Sequence, residues 1–171
     1  MGIWNKRDPF IENGYYHIYN RWYNKDIIFQ TEACYKRFYE TLIMLLKDYR
    51  DIKISSYCLL PNHFHLILHN IWEKSDNISK FMKRLQWSYA LWNRVKYPIE
   101  QKQMFFEWRF KSKLIDSEEY LYKCMSYVSF NAVKHEIVEN INEYKWTSYH
   151  QLSKNQKVMK YRNLELRELE L

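Results

Sequence analysis

Two periodicities alternate along the chain and divide it into predicted strands and helices. Some segments are rich in β-branched and aromatic residues or alternate apolar with polar positions, which is typical of strands. In others, apolar residues recur every three or four positions, which predicts amphipathic helices. The segments predicted as strands are 15–23, 52–59, 63–69 and 105–115. The segments predicted as helices are 32–50, 77–96 and 117–130. Pro61 and Asn62 break the chain between the second and third strands, so these two strands are expected to form a hairpin.

The order of these elements predicts the fold class. The series β-α-β-β-α-β-α indicates an α+β protein with a ferredoxin-like, or split βαβ, antiparallel sheet and an added C-terminal helix. A chain of 171 residues suits one domain. From about residue 151 the chain becomes polar. We therefore expect a domain over residues 1–150 and a tail of unknown structure over residues 151–171.

Glycine content excludes several nucleotide-binding and RNA-binding folds. The chain has only two glycines, Gly2 and Gly14. A dinucleotide-binding fingerprint and a phosphate-binding loop both need several glycines at fixed spacing. The glycine loop of a KH domain and the glycine-containing signature of an RRM are excluded for the same reason. The sequence therefore predicts no nucleotide cofactor.

The charge of the chain favours a polyanionic partner. The formal net charge is +7 and aromatic residues make up 19% of the chain. A basic surface attracts nucleic acid and aromatic faces stack on bases, so both features favour a nucleic-acid partner. A codon bias towards AT-rich triplets is an alternative explanation of the aromatic excess, because Lys, Asn, Ile, Tyr and Phe are abundant together.

Cysteine spacing and hydropathy indicate the compartment. Cys34, Cys58 and Cys124 are odd in number and far apart, so neither a disulfide framework nor a zinc knuckle is predicted. No apolar run approaches the roughly 18 residues of a membrane span. The expected location is a reducing cytoplasm, with no membrane partner.

Two histidines in the third predicted strand are candidate metal ligands. His63 and His65 are two positions apart in a strand, so both imidazoles project to the same face. Two same-facing imidazoles begin a divalent-metal site, and a third ligand must come from another segment. His69 shares the parity, but it lies about 13 Å along the strand, too far to bind the same ion. The alternative is a pair of ordinary histidines beside a hairpin.

The third helix presents a polar face that could supply the remaining chemistry. Tyr127 and Asn131 are four residues apart and therefore stack on one side of a helix, with Lys123 and Lys134 flanking them. A tyrosine oxygen can attack phosphorus, and an amide oxygen can complete a site for a hard cation. The alternative is that Tyr127 packs its ring at the edge of the core with its hydroxyl in water.

The strand before this helix carries a row of cations. Arg109, Lys111 and Lys113 alternate with aromatic residues in the predicted strand 105–115, so they share one face about 7 Å apart. That spacing suits the successive phosphates of a nucleic-acid strand. The alternative is a solvated sheet edge, where lysines discourage aggregation.

Several of these segments, in this order, resemble the histidine–hydrophobe–histidine (HUH) transposases of small insertion sequences, which use a single tyrosine. The nearest branch is that of the REP-associated tyrosine transposases. The segments that carry the resemblance are Tyr16–Arg21, Leu60–Leu66, Phe81–Arg84, Arg109–Lys113, Asp116–Leu121, Tyr127–Asn131 and Trp146–Tyr149. The chain departs from the family where Ala132 follows Asn131, where His135 and Glu136 follow Lys134, and where the glycine before the basic strand is absent.

The resemblance implies a function and a set of site residues. It implies a metal-dependent transposase or nickase that cleaves and rejoins single-stranded or hairpin DNA through a 5′-phosphotyrosine at Tyr127. His63, His65 and Asn131 would hold Mg²⁺ or Mn²⁺. The residues expected to bind DNA are Arg109, Lys111, Lys113, Lys123, Lys134, Lys83 and Arg84.

Other functions and assembly states stay open at this point. A non-catalytic hairpin-binding relative, a replication-initiator nickase of the same fold and an unrelated ferredoxin-like RNA binder are the alternatives. Retention of both histidines and of Tyr127 favours catalysis over binding alone. Both a monomer and a homodimer are compatible with the sequence. If the function is transposition, the protein acts on DNA at the nucleoid of a bacterium.

Overall fold

The computed structural model describes residues 9–23, 26–72, 76–98, 106–107 and 109–161. The strands are β1 (Gly14–Arg21), β2 (Ile52–Leu60), β3 (His63–Asn70) and β4 (Lys111–Ile115). The helices are α1 (Glu32–Asp48), α2 (Asn77–Lys96), α3 (Glu118–Ser129), α4 (Asn131–Lys134), α5 (Tyr149–Leu152) and α6 (Gln156–Met159). A short 3₁₀ turn over Ile141–Glu143 lies between α4 and α5.

The four strands form one antiparallel sheet in the order β2-β3-β1-β4. In this order β3 lies between β2 and β1, and β4 occupies the edge beside β1. A split βαβ arrangement requires this interleaving, because α1 connects two strands that another strand separates. The predicted α+β, ferredoxin-like fold is therefore confirmed.

The two faces of the sheet carry separate apolar cores. Even-numbered side chains of β1 and β3, such as Ile18 and Phe64, are fully buried with Phe38 of α1 and Phe81 of α2. The opposite face packs a second cluster around α3, which includes Ile67 of β3. Because side chains alternate along a strand, each strand contributes to both cores. Helices therefore cover both faces, with α1 and α2 on one side and α3 on the other.

The predicted strand 105–115 is wrong in its first half, because β4 begins only at Lys111. Continued pairing with β1 in the register that sets Tyr19 opposite Lys111 would place Arg109 opposite Arg21. Like charges directly opposite each other destabilise a sheet. Arg21 instead donates a hydrogen bond from Nε to Glu107 over 2.6 Å.

This change of pairing has consequences for the predicted row of cations. Phe106 forms an isolated bridge with Trp22, shifted by two residues from the register of β4. Arg109 is exposed and lies outside the strand, so only Lys111 and Lys113 share a strand face. Residue 108, which was expected to alternate with the cations, and residue 105, the first of the predicted strand, lie outside the described residues.

Helix α3 is held against the sheet by polar as well as apolar contacts. Its N-cap is Ser117, and the Ser117 hydroxyl accepts a hydrogen bond from the Tyr120 amide. At its other end Ser129 donates to the Met125 carbonyl and lies 3.3 Å from the Ser56 hydroxyl of β2. The Ser129 and Ser56 hydroxyls are buried, so this contact fixes the position of α3 over β2.

The chain continues along α3 after residue 150. The Ser148 hydroxyl lies 2.8 Å from that of Ser56, and Val158 of α6 is fully buried in the core around α3. Residues 151–161 of the expected tail thus contain α6 and the last part of α5, whereas residues 162–171 lie outside the described residues. No helix in the described part of the chain is long and apolar enough to cross a membrane.

We predict that replacement by Ala strongly destabilises the protein at one leucine of α2 and hardly changes its stability at another. Leu85 is fully buried beneath the sheet, whereas Leu91 on the same helix is 55% exposed. Leu85→Ala should therefore lower the free energy of unfolding by about 2–5 kcal/mol, through lost burial and the cavity left behind. Leu91→Ala should change it by less than about 0.5 kcal/mol. Urea denaturation of both variants measures the difference, and equal losses would contradict the packing of α2 described above.

Candidate active site

His63 and His65 project from β3 towards the sheet face that α3 covers. Their ring centroids are 5.1 Å apart, as expected for alternate positions of one strand. The pairing with β1 places Arg21 opposite His63 and Tyr19 opposite His65. Side chains from two neighbouring strands therefore meet at this end of the sheet.

Tyr127 reaches the same place from α3. Its ring centroid lies 5.9 Å from that of His65 and 6.0 Å from that of His17, and it stands nearly perpendicular to both. The three rings belong to one chain. The structure thus brings the expected nucleophile and the histidine pair together without a second copy.

The hydrogen bond made by His63 determines which of its ring nitrogens is available. His63 Nδ1 lies 2.6 Å from the Asn62 Oδ1 atom. An amide oxygen only accepts hydrogen bonds, so Nδ1 of a neutral His63 carries the proton and donates it. The lone pair is then on Nε2, as a metal-ligating imidazole requires.

The histidines of this site are neutral at pH 7. Burial, followed by the charges of His135 and Arg21, lowers the pKa of His63 to about 4. Burial, followed by the charge of Lys113, lowers the pKa of His17 to about 3. Burial also holds the pKa of His65 well below its ordinary value. Neutral imidazoles keep a lone pair, so all three rings are in the protonation state that binds cations.

Asn131 supplies a donor that fits a hard cation. It is fully buried at the start of α4, where its Nδ2 donates to the Tyr127 carbonyl over 3.4 Å. Its Oδ1 atom is buried and has no hydrogen-bond partner. Within the described residues, no group of three or more His, Cys, Asp or Glu side chains could hold a metal ion. An unpartnered amide oxygen is a ligand of the kind that hard cations such as Mg²⁺ and Mn²⁺ accept.

Lys134 of α4 lies directly over the tyrosine. Its Nζ is 4.0 Å from the centroid of the Tyr127 ring, and this buried nitrogen has no hydrogen-bond partner. Burial lowers the pKa of Lys134 to about 7, so about half of the amine is neutral at that pH. Burial raises the pKa of the Tyr127 phenol, and a hydrogen bond with Asn131 opposes this shift. The phenol is thus protonated at pH 7 beside a partly neutral amine.

Two of the expected DNA-binding lysines flank the site on β4. Lys113 and Lys111 lie opposite His17 and Tyr19 respectively, and both are exposed. The Lys111 Nζ atom is 5.7 Å from the centroid of the Tyr19 ring. Because these positions share the face of the histidines, the two ammonium groups border the same surface.

The other expected DNA-binding residues are spread more widely. Lys123 lies on α3 and pairs with Glu119 at 3.1 Å. Lys83 and Arg84 lie on α2, which covers the opposite face of the sheet, and Arg84 pairs with Asp48 of α1 at 3.1 Å. The structure therefore brings Lys111, Lys113 and Lys134 to the candidate site but does not bring Lys83 and Arg84 there.

Sequence reasoning missed several residues that line the site. His17, Tyr19 and Arg21 come from β1, and the ring of His135 lies 4.8 Å from that of His63. The parity of β1 could have shown that His17, Tyr19 and Arg21 share a face. The predicted split βαβ topology places β1 beside β3, but it does not give the register that sets Tyr19 opposite His65.

Comparison with known protein families and solved structures identifies a family and several chains of similar fold. The model of the family described as "Transposase IS200 like" matches residues 10–131. A solved REP-associated tyrosine transposase bound to a REP hairpin is 18% identical, with a TM-score of 0.73 over 90% of this chain and 87% of that one. No curated protein sequence matches.

Two further solved structures are more distant. A tRNA(His) guanylyltransferase from Saccharomyces cerevisiae is 10% identical, with a TM-score of 0.53 over 95% of this chain and 76% of that one. A crystallised transposase from Deinococcus radiodurans R1 is 16% identical, with a TM-score of 0.47 over 72% of this chain and 95% of that one. Because the family model spans 122 of the 171 residues and includes β1, both histidines, Tyr127 and Asn131, this chain belongs to the IS200-like transposase family.

Proposed function

We propose that this transposase cleaves and rejoins single-stranded DNA beside a hairpin, with Tyr127 as the nucleophile. The observation that carries the proposal is the position of the Tyr127 ring, 5.9 Å from the His65 ring within the same chain. A phenol beside two neutral imidazoles and an unpartnered amide oxygen is suited to phosphoryl transfer.

The proposed step exchanges one phosphodiester for another. The Tyr127 oxygen attacks the scissile phosphorus in line, the bond from phosphorus to the 3′ oxygen breaks, and the 3′ oxygen takes up a proton. The products are a 5′-phosphotyrosine and a free 3′-hydroxyl. Because the new bond keeps the energy of the broken one, a 3′-hydroxyl can reverse the step without ATP. Holding the phenol in near-attack geometry favours it over water.

The phenol must lose its proton during attack, and the Lys134 amine would have to turn from the face of the ring towards the hydroxyl to accept it. In its neutral form this amine, whose nitrogen lies 4.0 Å from the centroid of the Tyr127 ring, can take up a proton. The resulting ammonium would then stabilise negative charge on the tyrosine oxygen. Lys134 therefore serves the proposed reaction in both protonation states.

His63, His65 and Asn131 would hold the divalent cation. Bound there, Mg²⁺ or Mn²⁺ would polarise the scissile phosphate and stabilise charge that develops on its oxygens. The His63 Nε2 lone pair and the unpartnered Asn131 oxygen support this assignment. His63→Ala and His65→Ala should each weaken divalent-ion binding, because two imidazoles provide no spare ligand.

The basic residues around the site would bind the DNA backbone. Lys111 and Lys113 lie on the face of the histidines, and Arg109 precedes them as an exposed residue. The solved relative with the same fold is bound to a REP hairpin, which supports a hairpin as the partner here. Lys83 and Arg84 lie on the other side of the sheet, so they would contact DNA only if it extends beyond the site.

We predict that Tyr127→Phe abolishes the covalent protein–DNA adduct and leaves hairpin binding within a few-fold. The substitution removes the attacking oxygen and keeps the packing of the ring. The measurement is a denaturing gel of labelled hairpin DNA incubated with protein and Mn²⁺. Tyr120→Phe, about two turns earlier on α3, is the matched control and should still form the adduct.

Two results of this gel would contradict the proposal. An adduct that persists in Tyr127→Phe would move the nucleophile elsewhere. A wild-type protein that binds the hairpin tightly but never forms an adduct would favour the non-catalytic hairpin-binding alternative.

We predict that Lys134→Met raises the melting temperature more at pH 6.5 than at pH 9.5. The pKa of Lys134 is about 7 in the folded protein and ordinarily 10.5, so the unfolded chain binds more protons between these values. The wild type therefore gains stability as the pH rises through this window. The loss of stability caused by burying the Lys134 amine is greatest at low pH, where the amine is protonated. Lys113→Met, which removes an exposed lysine near the same site, is the charge-matched control. A gain that is equal at both pH values would mean that Lys134 titrates normally.

We predict that replacing Lys111 and Lys113 by Ala flattens the salt dependence of DNA binding. For single strands, log K falls by roughly 0.7 per unit of log salt for each phosphate neutralised, so the slope should change by about 1.4. Binding to all sequences should weaken to a similar extent. Lys36 and Lys47 of α1 are exposed on the other side of the sheet and provide a charge-matched double variant. Equal effects from both variants would show that only net charge matters.

A further inference from the structure

His17 makes a contact that the proposed reaction does not use. Its Nε2 atom lies 2.9 Å from the Nδ1 atom of His65. The two rings are nearly parallel, with an interplanar angle of 15° and a centroid distance of 5.0 Å. Both are buried, at 1% and 6% exposure. The sheet register sets Tyr19 opposite His65, so His17 is the diagonal neighbour of His65 on the adjacent strand, within reach of a long side chain.

A hydrogen bond between two neutral imidazoles has only two arrangements. A neutral imidazole carries one N–H donor and one acceptor nitrogen. If His17 donates, the proton of His65 is on Nε2 and that nitrogen cannot bind a cation. If His65 donates from Nδ1, its Nε2 keeps a lone pair, and the proton of His17 is on Nδ1. Only the second arrangement lets His65 act as a ligand through Nε2.

We infer that His17 is the positioning residue of the cation site: its Nε2 accepts the Nδ1–H of His65 and thereby keeps the Nε2 lone pair of His65 directed to a divalent cation. The inference rests on the proposed role of His65 as a ligand. His17 thus does for His65 what Asn62 does for His63, whose Nδ1 also faces an acceptor, at 2.6 Å. Partners of this kind fix the tautomer and orientation of a ligating ring.

The surroundings of His17 do not by themselves select between the two arrangements. Its other nitrogen, Nδ1, is buried and has no hydrogen-bond partner, so nothing else fixes the tautomer of this ring. A proton on that nitrogen is an unpaired buried donor, which costs free energy. The cation bound at His65 would offset this cost. Occupancy of the cation site and the tautomer of His17 are therefore linked, although His17 does not touch the ion.

The first experiment measures Mn²⁺ affinity by calorimetry in the absence of DNA. His17→Phe keeps a ring and removes the acceptor, and it should weaken Mn²⁺ binding by about 10- to 100-fold, as the loss of such partners typically does. His17→Gln places an amide oxygen near the former Nε2 position and should restore most of the affinity. His69→Phe is the matched control, because it replaces another histidine of the same sheet. His69 lies on β3 and its ring stacks on that of Tyr15 of β1, with the centroids 4.1 Å apart. The Mn²⁺ affinity of the His69→Phe variant should equal that of the wild type.

The second experiment uses the wild-type protein and does not depend on any variant folding. The ¹⁵N chemical shifts of the imidazole nitrogens distinguish the two tautomers of each ring. At saturating Mg²⁺, both His65 and His17 should carry their proton on Nδ1. A His17 ring with its proton on Nε2 in the Mg²⁺-bound protein would overturn the inference, and so would a folded His17→Phe variant with wild-type Mn²⁺ affinity.

These results separate this inference from the proposed function. Mn²⁺ binding that survives His65→Ala would overturn the proposed cation site and the inference together. Mn²⁺ binding that is lost in His65→Ala but is unchanged in His17→Phe would overturn the inference alone.

Discussion

The antiparallel pairing of β1 with β3 decides which side chains can meet at the candidate site. With Tyr19 opposite His65, the odd-numbered residues of β1 share a face with the histidine pair. A slip of one residue would send them to the opposite face. That slip is opposed by Tyr16 and Ile18, which are fully buried beneath α1 and α2. The core on one face of the sheet therefore fixes the chemistry on the other.

The position of Tyr127 depends on contacts at the back of its helix. Cys124 and Val128 of α3 are fully buried against the sheet, and Ser129 reaches the Ser56 hydroxyl of β2. The Thr147 hydroxyl donates to the Ser129 carbonyl over 2.9 Å, which ties the end of α3 to the segment after it. Directional bonds of buried hydroxyls resist sliding more than apolar contacts do. Tyr127 thus approaches the histidines from a helix that is held by apolar contacts with the sheet, by the Ser56 hydroxyl of β2 and by the Thr147 hydroxyl of the segment after it.

The predictions from sequence that agree with the structure depend on geometry within one element. The parity of a strand suffices to place His63 and His65 on one face. The predicted helical stacking of Tyr127 and Asn131 crosses a break in the chain, because α3 ends at Ser129 and Asn131 begins α4. The predictions that fail or are missing depend on the register between distant segments. The strand row that included Arg109 is interrupted where its register would oppose Arg21, and His17 was overlooked because the predicted topology sets β1 beside β3 but does not give the register between them. Local periodicity thus gave the elements and their order, whereas the register had to come from the structure.

The charges around the histidines give the site a further property. Burial and basic neighbours lower the pKa values of His63 and His65, whereas a neighbouring carboxylate would raise them. The proposed ligands, two neutral imidazoles and an amide, carry no negative charge to balance a divalent cation. In the proposed reaction, the phosphate of bound DNA would supply that charge. A cation and DNA at this site would therefore each strengthen the binding of the other, which couples assembly of the reactive centre to the arrival of its substrate.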